Sequence, residues 1–209
     1  FPYQFSIFGV IIENKMIICN KHKFICLNPP KTGTGFREKL LCASNVHLEA
    51  KAFYDLDGLG RHWNLDFIKK IEGLLIHPIE SYFIFSYVRN PWQRAASWFH
   101  MRKYGQKNRN PNLSMKNMLK RFPSQKKYVE IDGLKVQYVG DCANQTDSIV
   151  DLFKRMNLHI NVPNHLKLKN TFDKNRRELY KKYLDEESIN QIAEIEKYII
   201  DFMGYSFDL

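Results

Sequence analysis

The chain has 209 residues, 44% hydrophobic and 14% aromatic, and its 32 Lys and Arg against 22 Asp and Glu leave a formal charge of +10 at pH 7. This length fits a single domain over 1–209, and the composition excludes a disordered chain. The positive balance favours anionic partners, whether nucleotide, nucleic acid, acidic polysaccharide or lipid, without choosing among them.

The first apolar run, FSIFGVII over 5–12, is too short to cross a bilayer. MIIC (16–19) and FICL (24–27) read as short strands. LNPPKTGTGFREKLL (27–41) then reads as strand, tight loop and helix, with Phe36, Leu40 and Leu41 on one helical face. That order opens nucleotide-binding α/β domains. SYFIFSYV (81–88) is a strand apolar on both faces. RNP follows, and a helix starts near Pro91, where proline suits the first turn. Residues 108–125 read as a polar loop and a short amphipathic helix, and 127–140 as a hairpin turning at Asp132-Gly133. A helix over 146–158 aligns Ile149, Leu152, Phe153 and Met156, with Thr146 or Asp147 as its cap. Residues 161–184 are basic and loop-rich. The last helix runs from a cap at Asp185 to a stop at Gly204, with Ile189, Ile192, Ile195, Ile199 and Phe202 on its apolar face. Cys19, Cys26, Cys42 and Cys142 lack CxxC spacing and read as buried free thiols. No His, Asp or Glu spacing suggests a metal.

Two loops carry chemistry. In the first, Lys31 precedes Gly33 and Gly35, whereas the P-loop of ATPases places its lysine after the glycines. The backbone N–H groups of Thr32 to Gly35 can curl into a nest at a helix N-terminus, a setting for a phosphate-like anion. Thr32 and Thr34 offer hydroxyls and Lys31 a mobile charge. An ordinary βα turn explains the same residues about as well. In the second loop, Arg89 stands at a strand end and Ser97 about two helical turns later. An arginine fork and a hydroxyl suit a dianionic phosphate. Arg94, between them, either assists or is solvated. Two clamps at separate strand ends imply a ligand with two separated anionic groups.

PKTGTG (30–35) and VRNPWQRAASWF (88–99) resemble the two binding elements for 3′-phosphoadenosine 5′-phosphosulfate (PAPS) of the sulfotransferases. The similarity is closest to their carbohydrate-type branch, which includes heparan 2-O-sulfotransferases and small bacterial enzymes. GRHWNLDFIKKI, YVGDCANQTDSIVDLF, VPNHLKLKN and FMGYSF resemble further segments in the same order. The resemblance implies an α/β, P-loop-like three-layer fold with a central parallel sheet flanked by helices. It implies that Lys31, Thr32, Gly33, Thr34 and Gly35 hold the 5′-phosphosulfate, that Arg89 and Ser97 hold the 3′-phosphate, and that no metal takes part. One departure stands out: the family usually carries Thr or Ser where Gly35 stands, and often another hydroxyl at Phe36.

The implied reaction moves a sulfuryl group in line from PAPS to an acceptor hydroxyl, releasing PAP. Lys31 would stabilise charge on the leaving oxygen. His62 is the first choice of general base, since its ordinary pKa suits proton abstraction near neutrality. A helix-cap histidine is the plain alternative, and His47, Asp55 and Asp57 are rivals. His165 and Lys167 lie in a basic loop that either covers the ligand or is solvated. The acceptor expected is a carbohydrate, not nucleic acid. The rival readings are a small-molecule kinase, for which no GxxxxGK[ST] loop is found, and a non-catalytic module binding glycan or nucleic acid. Unpaired cysteines and the lack of a signal suggest a cytoplasmic, bacterial-type enzyme; a trimmed Golgi lumenal domain would read the same.

Overall fold

A computed structural model describes residues 17–43, 63–105, 110–158 and 181–207. The 5–12 run, the base candidates His62, His47, Asp55 and Asp57, and the basic loop with His165 and Lys167 lie outside the described residues.

The protein is α/β, built on a mixed four-stranded sheet in the order β1 (Ile17–Cys19), β2 (Phe24–Leu27), β3 (Phe83–Val88), β6 (Tyr138–Asp141). β2, β3 and β6 run parallel. β1 runs antiparallel to β2, so the expected parallel sheet holds for three strands only. The cause is the connection over 20–23: a parallel pair needs a crossover of a dozen or more residues. Lys23 makes the tight return with φ 51.

Strand alternation divides the core between the two faces. Ile17, Cys19, Phe24, Cys26, Phe85 and Tyr87 share one face. It is covered by Leu40 and Leu41 of helix α1 (Thr34–Ala43) and by Ile149, Leu152 and Phe153 of α5 (Gln145–Arg155). Ile18, Ile25, Leu27 and Ile84 share the other face with Leu65, Phe67 and Ile68 of α2 (Leu65–Lys70). Beyond the end of β3, α3 (Pro91–Tyr104) packs through Trp92, Ala95 and Phe99 onto α4 (Met115–Leu119) and α6 (Glu186–Ile195).

Three elements depart from their sequence readings. The hairpin is limited to β4 (Glu130–Ile131) and β5 (Leu134–Lys135), with Asp132 and Gly133 at φ 46 and 79. Positive φ at both central residues suits a hairpin turn. Residues beyond it leave the hairpin and join the main sheet as β6. Helix α5 starts at Gln145, which places Thr146 and Asp147 inside its first turn. The last helix breaks at Glu196 (φ −110, ψ 15) into α6 and α7 (Lys197–Met203). Asp185 accepts from Ser188 N–H as the cap and Gly204 ends α7 at φ 67, while Phe202 is 54% exposed rather than buried.

Candidate functional site

Because β2 and β3 are parallel neighbours, with Leu27 opposite Ser86, their C-terminal ends deliver both loops to one edge of the sheet. That edge is where open α/β sheets place ligands.

The first loop is held mainly by side chains close to it in sequence. Arg37, fully buried in α1, reaches back to it. Its Nε and Nη2 donate to Asn28 Oδ1 at 3.2 and 2.8 Å, and its Nη1 donates to the Thr32 carbonyl at 2.6 Å. The guanidinium lies over the Tyr87 ring, 4.7 Å from its centroid. The Thr32 hydroxyl donates to the Pro29 carbonyl at 2.8 Å and accepts from Arg37 Nη2 at 3.0 Å, so it is occupied in holding the loop. From α5, Gln145 Nε2 donates to the Thr32 carbonyl at 3.0 Å. Gln145 also fills the space beside Gly33: a Cβ there would lie 2.2 Å from Nε2, and Gly33 already sits at φ 77. The N–H groups of Phe36 and Arg37 close onto the Gly33 carbonyl at 3.0 and 3.2 Å.

Three further residues of this loop are candidates to meet a ligand. Thr34 is 7% exposed, and its Oγ1 is buried without a hydrogen-bond partner among the described residues. Gly35 is exposed, with no atom within 4 Å of where a Cβ would stand. Lys31 adopts φ 68, a left-handed conformation that costs a residue with a Cβ. Burial holds its amine below the usual lysine range, and the charge of Arg89 adds to this.

The second loop is fixed from a distance. Gln125 clamps the backbone of Arg89, accepting from its N–H at 2.9 Å and donating to its carbonyl at 3.0 Å. The Gln125 N–H in turn donates to the Glu196 carboxylate, at 3.0 Å to Oε2. Glu196 accepts from Arg94 Nη2 at 2.6 Å, and neither side chain of this pair is exposed. Arg94 also donates to the Pro123 carbonyl and, at 3.4 Å, to the Pro30 carbonyl of the first loop. Arg94 is therefore a buried strut between the loops, not a solvated side chain.

The two loops meet directly: Arg89 Nη1 donates to the Lys31 carbonyl at 3.3 Å. Arg89 and Ser97 are each 9% exposed. The end of β6 completes the edge with Asp141, opposite Val88. Burial pushes the Cys142 thiol up to about 11, with Arg89 pulling the other way. Burial and the charge of Asp141 also raise the Tyr205 hydroxyl, which the charge of Arg89 opposes.

Sequence reasoning missed Arg37, Gln145, Gln125 and Glu196. Arg37 follows the loop within one turn of helix, and a basic residue at that offset was the available signal. Gln125 closes a polar stretch, and Glu196 lies in a helix read from its apolar positions, so neither drew attention. Among the described residues, no group of three or more His, Cys, Asp or Glu could hold a metal ion, and no helix is long and apolar enough to cross a membrane. Comparison of the chain with protein-family models, curated proteins and solved structures finds no match.

Proposed function

We propose that the protein is a PAPS-dependent sulfotransferase with a P-loop-like architecture, acting on an acceptor hydroxyl of a saccharide. The observation that carries this reading is the direct contact of two βα loops on adjacent parallel strands. Each loop offers anion-binding groups, and they are joined by the Arg89–Lys31 hydrogen bond.

The residues present suit the donor. The Thr34 hydroxyl, without a partner among the described residues, the half-buried Lys31 amine and the head of α1 would hold the 5′-phosphosulfate. Arg89 and Ser97 would hold the 3′-phosphate. Thr32 and Gly33 contribute backbone shape, since the Thr32 hydroxyl is turned inward. The open space at Gly35 leaves room for the donor where the resembling family has a hydroxyl. PAPS supplies the sulfuryl group, whose bond to the bridging phosphate oxygen breaks as the bond to the acceptor oxygen forms. Lys31 would meet the charge arising on the leaving oxygen. The acceptor proton would pass to His62, the base the sequence favours.

Radiolabelled PAPS offered with a panel of glycans and small alcohols tests the reading. Label should pass to a saccharide, and Lys31→Ala should abolish transfer. His62→Ala should lower the rate near neutrality; activity surviving unchanged across pH would remove His62 as base. Because Gly35 presents no hydroxyl, a non-catalytic anion-binding module is the second reading. PAP binding without any transfer would favour it.

A further inference from the structure

The charge of the protein is concentrated. Between Glu80 and Glu130 the sequence carries eleven Lys and Arg and no Asp or Glu. The rest of the chain holds the other 21 cations against all 22 acids, so it is close to neutral. This basic stretch forms β3, α3 and α4.

Two of its cations are matched by carboxylates from outside it, Arg94 by Glu196 and Lys116 by Glu187. Three others gather around a groove of about 390 Å³ between α3 and α4. Arg102, Lys120 and Arg121 line it and are exposed, and none has a carboxylate partner among the described residues. The amides of Asn110 and Asn117 stand among them, over a floor that includes Met118. Ser97 and Trp98 are consecutive on α3, so the groove begins one residue past the candidate second clamp.

We propose that this groove is a separate binding site for an acidic oligosaccharide, a chain bearing carboxylate or sulfate groups. Three cations at a concave surface, unmatched among the described residues, draw an anionic chain, and the asparagine amides offer donors and acceptors for hydroxyls. A single nucleic-acid strand shares the charge but needs aromatic faces on which bases can stack. The one aromatic residue lining the groove among the described residues is already engaged. Arg102 lies over the Trp98 ring at 5.8 Å from its centroid, and Phe122 packs against Trp98 at 6.0 Å and 87°. The site stands on the α3–α4 surface, whether or not the strand-end loops bind a nucleotide.

The test is calorimetric titration of the full chain at physiological salt with a sulfated, uronate-containing octasaccharide, beside a neutral octasaccharide and a single-stranded oligonucleotide of equal charge. The acidic octasaccharide should bind most tightly. Joint replacement of Arg102, Lys120 and Arg121 by Ala should weaken it about tenfold or more, given the modest worth of each exposed ion pair. Lys126→Ala, Lys127→Ala and Lys154→Ala together, a matched loss of three exposed charges outside the groove, should change affinity much less. Binding should persist in Lys31→Ala. Equal losses in the two charge-removal variants would reduce the groove to a solvated face. Tighter binding of the oligonucleotide, no binding of the acidic octasaccharide, or loss of binding in Lys31→Ala would each overturn the proposal.

Discussion

The loop at Lys31 and the loop at Arg89 sit side by side, yet the balance of near and distant support differs between them. The first is held largely by residues within ten positions of itself: Arg37 bonds Asn28 and Thr32, and Thr32 bonds Pro29. The second takes its shape from Gln125, and Gln125 takes its place from Glu196, 71 positions away. The lesson is that one sheet edge can combine a loop braced mostly from nearby with a loop braced from distant parts of the chain. Substitutions far along the chain should then reach the second loop, while the first should respond most to changes close by and less to changes at Gln145 and Arg94.

Glu196→Ala should have the largest effect. It leaves the Arg94 guanidinium buried without its carboxylate, which costs roughly 3–5 kcal/mol for pairs of this kind. Chemical denaturation would read the loss. PAP affinity should fall with it, because Gln125 and hence Arg89 lose their anchor. Unchanged stability would break the contrast between the two loops.

Arg89→Ala should weaken PAP binding by roughly 1.5–3 kcal/mol, the range for a hydrogen bond to a charged group. Calorimetry measures this, and unchanged affinity would remove the second clamp.

Gly33→Ala and Gly35→Ala sharpen the account within the first loop. At Gly33 the new methyl would meet Gln145 Nε2, and φ is 77. Thermal denaturation should show a loss above about 1 kcal/mol, because the native backbone is incompatible with a side chain. At Gly35 there is open space at the second residue of α1. Alanine there should be neutral or stabilise by about 0.5–1 kcal/mol.

The smallest effect expected is on pH dependence. The folded pKa of Lys31 lies below its unfolded value, so its charge is more costly in the folded chain. Folding stability should rise with pH between the two values as that charge is lost. A bound anion favours the charged amine, so PAP affinity should fall as pH rises through the lowered pKa, beginning below the usual lysine range. In Lys31→Arg the affinity should stay flat there, since arginine remains charged.

Local pattern made β1, β2, β3, α3 and the capped ends of the last helix legible in the sequence. Apolar runs, Pro91, Asp185 and Gly204 act over a few residues. The turn at Asp132-Gly133 was legible for the same reason. The onward pairing of β6 with β3 was not, since a strand shows its own periodicity and not its partner. The break at Glu196 was hidden within a continuous apolar stripe, and the bonds that Glu196 receives there come from Arg94 and Gln125 in other segments. At the site, the placement of Lys31, Thr34, Gly35 and Arg89 at one strand edge could be anticipated. The inward turn of the Thr32 hydroxyl could not, because it depends on the reach of Arg37.

The most direct measurement is a calorimetric titration of the full chain with PAP, with adenosine 5′-phosphate and with ATP–Mg²⁺. Two clamps acting on one ligand predict micromolar binding of PAP, weaker binding of the compound lacking the 3′-phosphate, and little binding of ATP–Mg²⁺. Equal affinity for all three, or no binding of PAP, would contradict a site built from both loops.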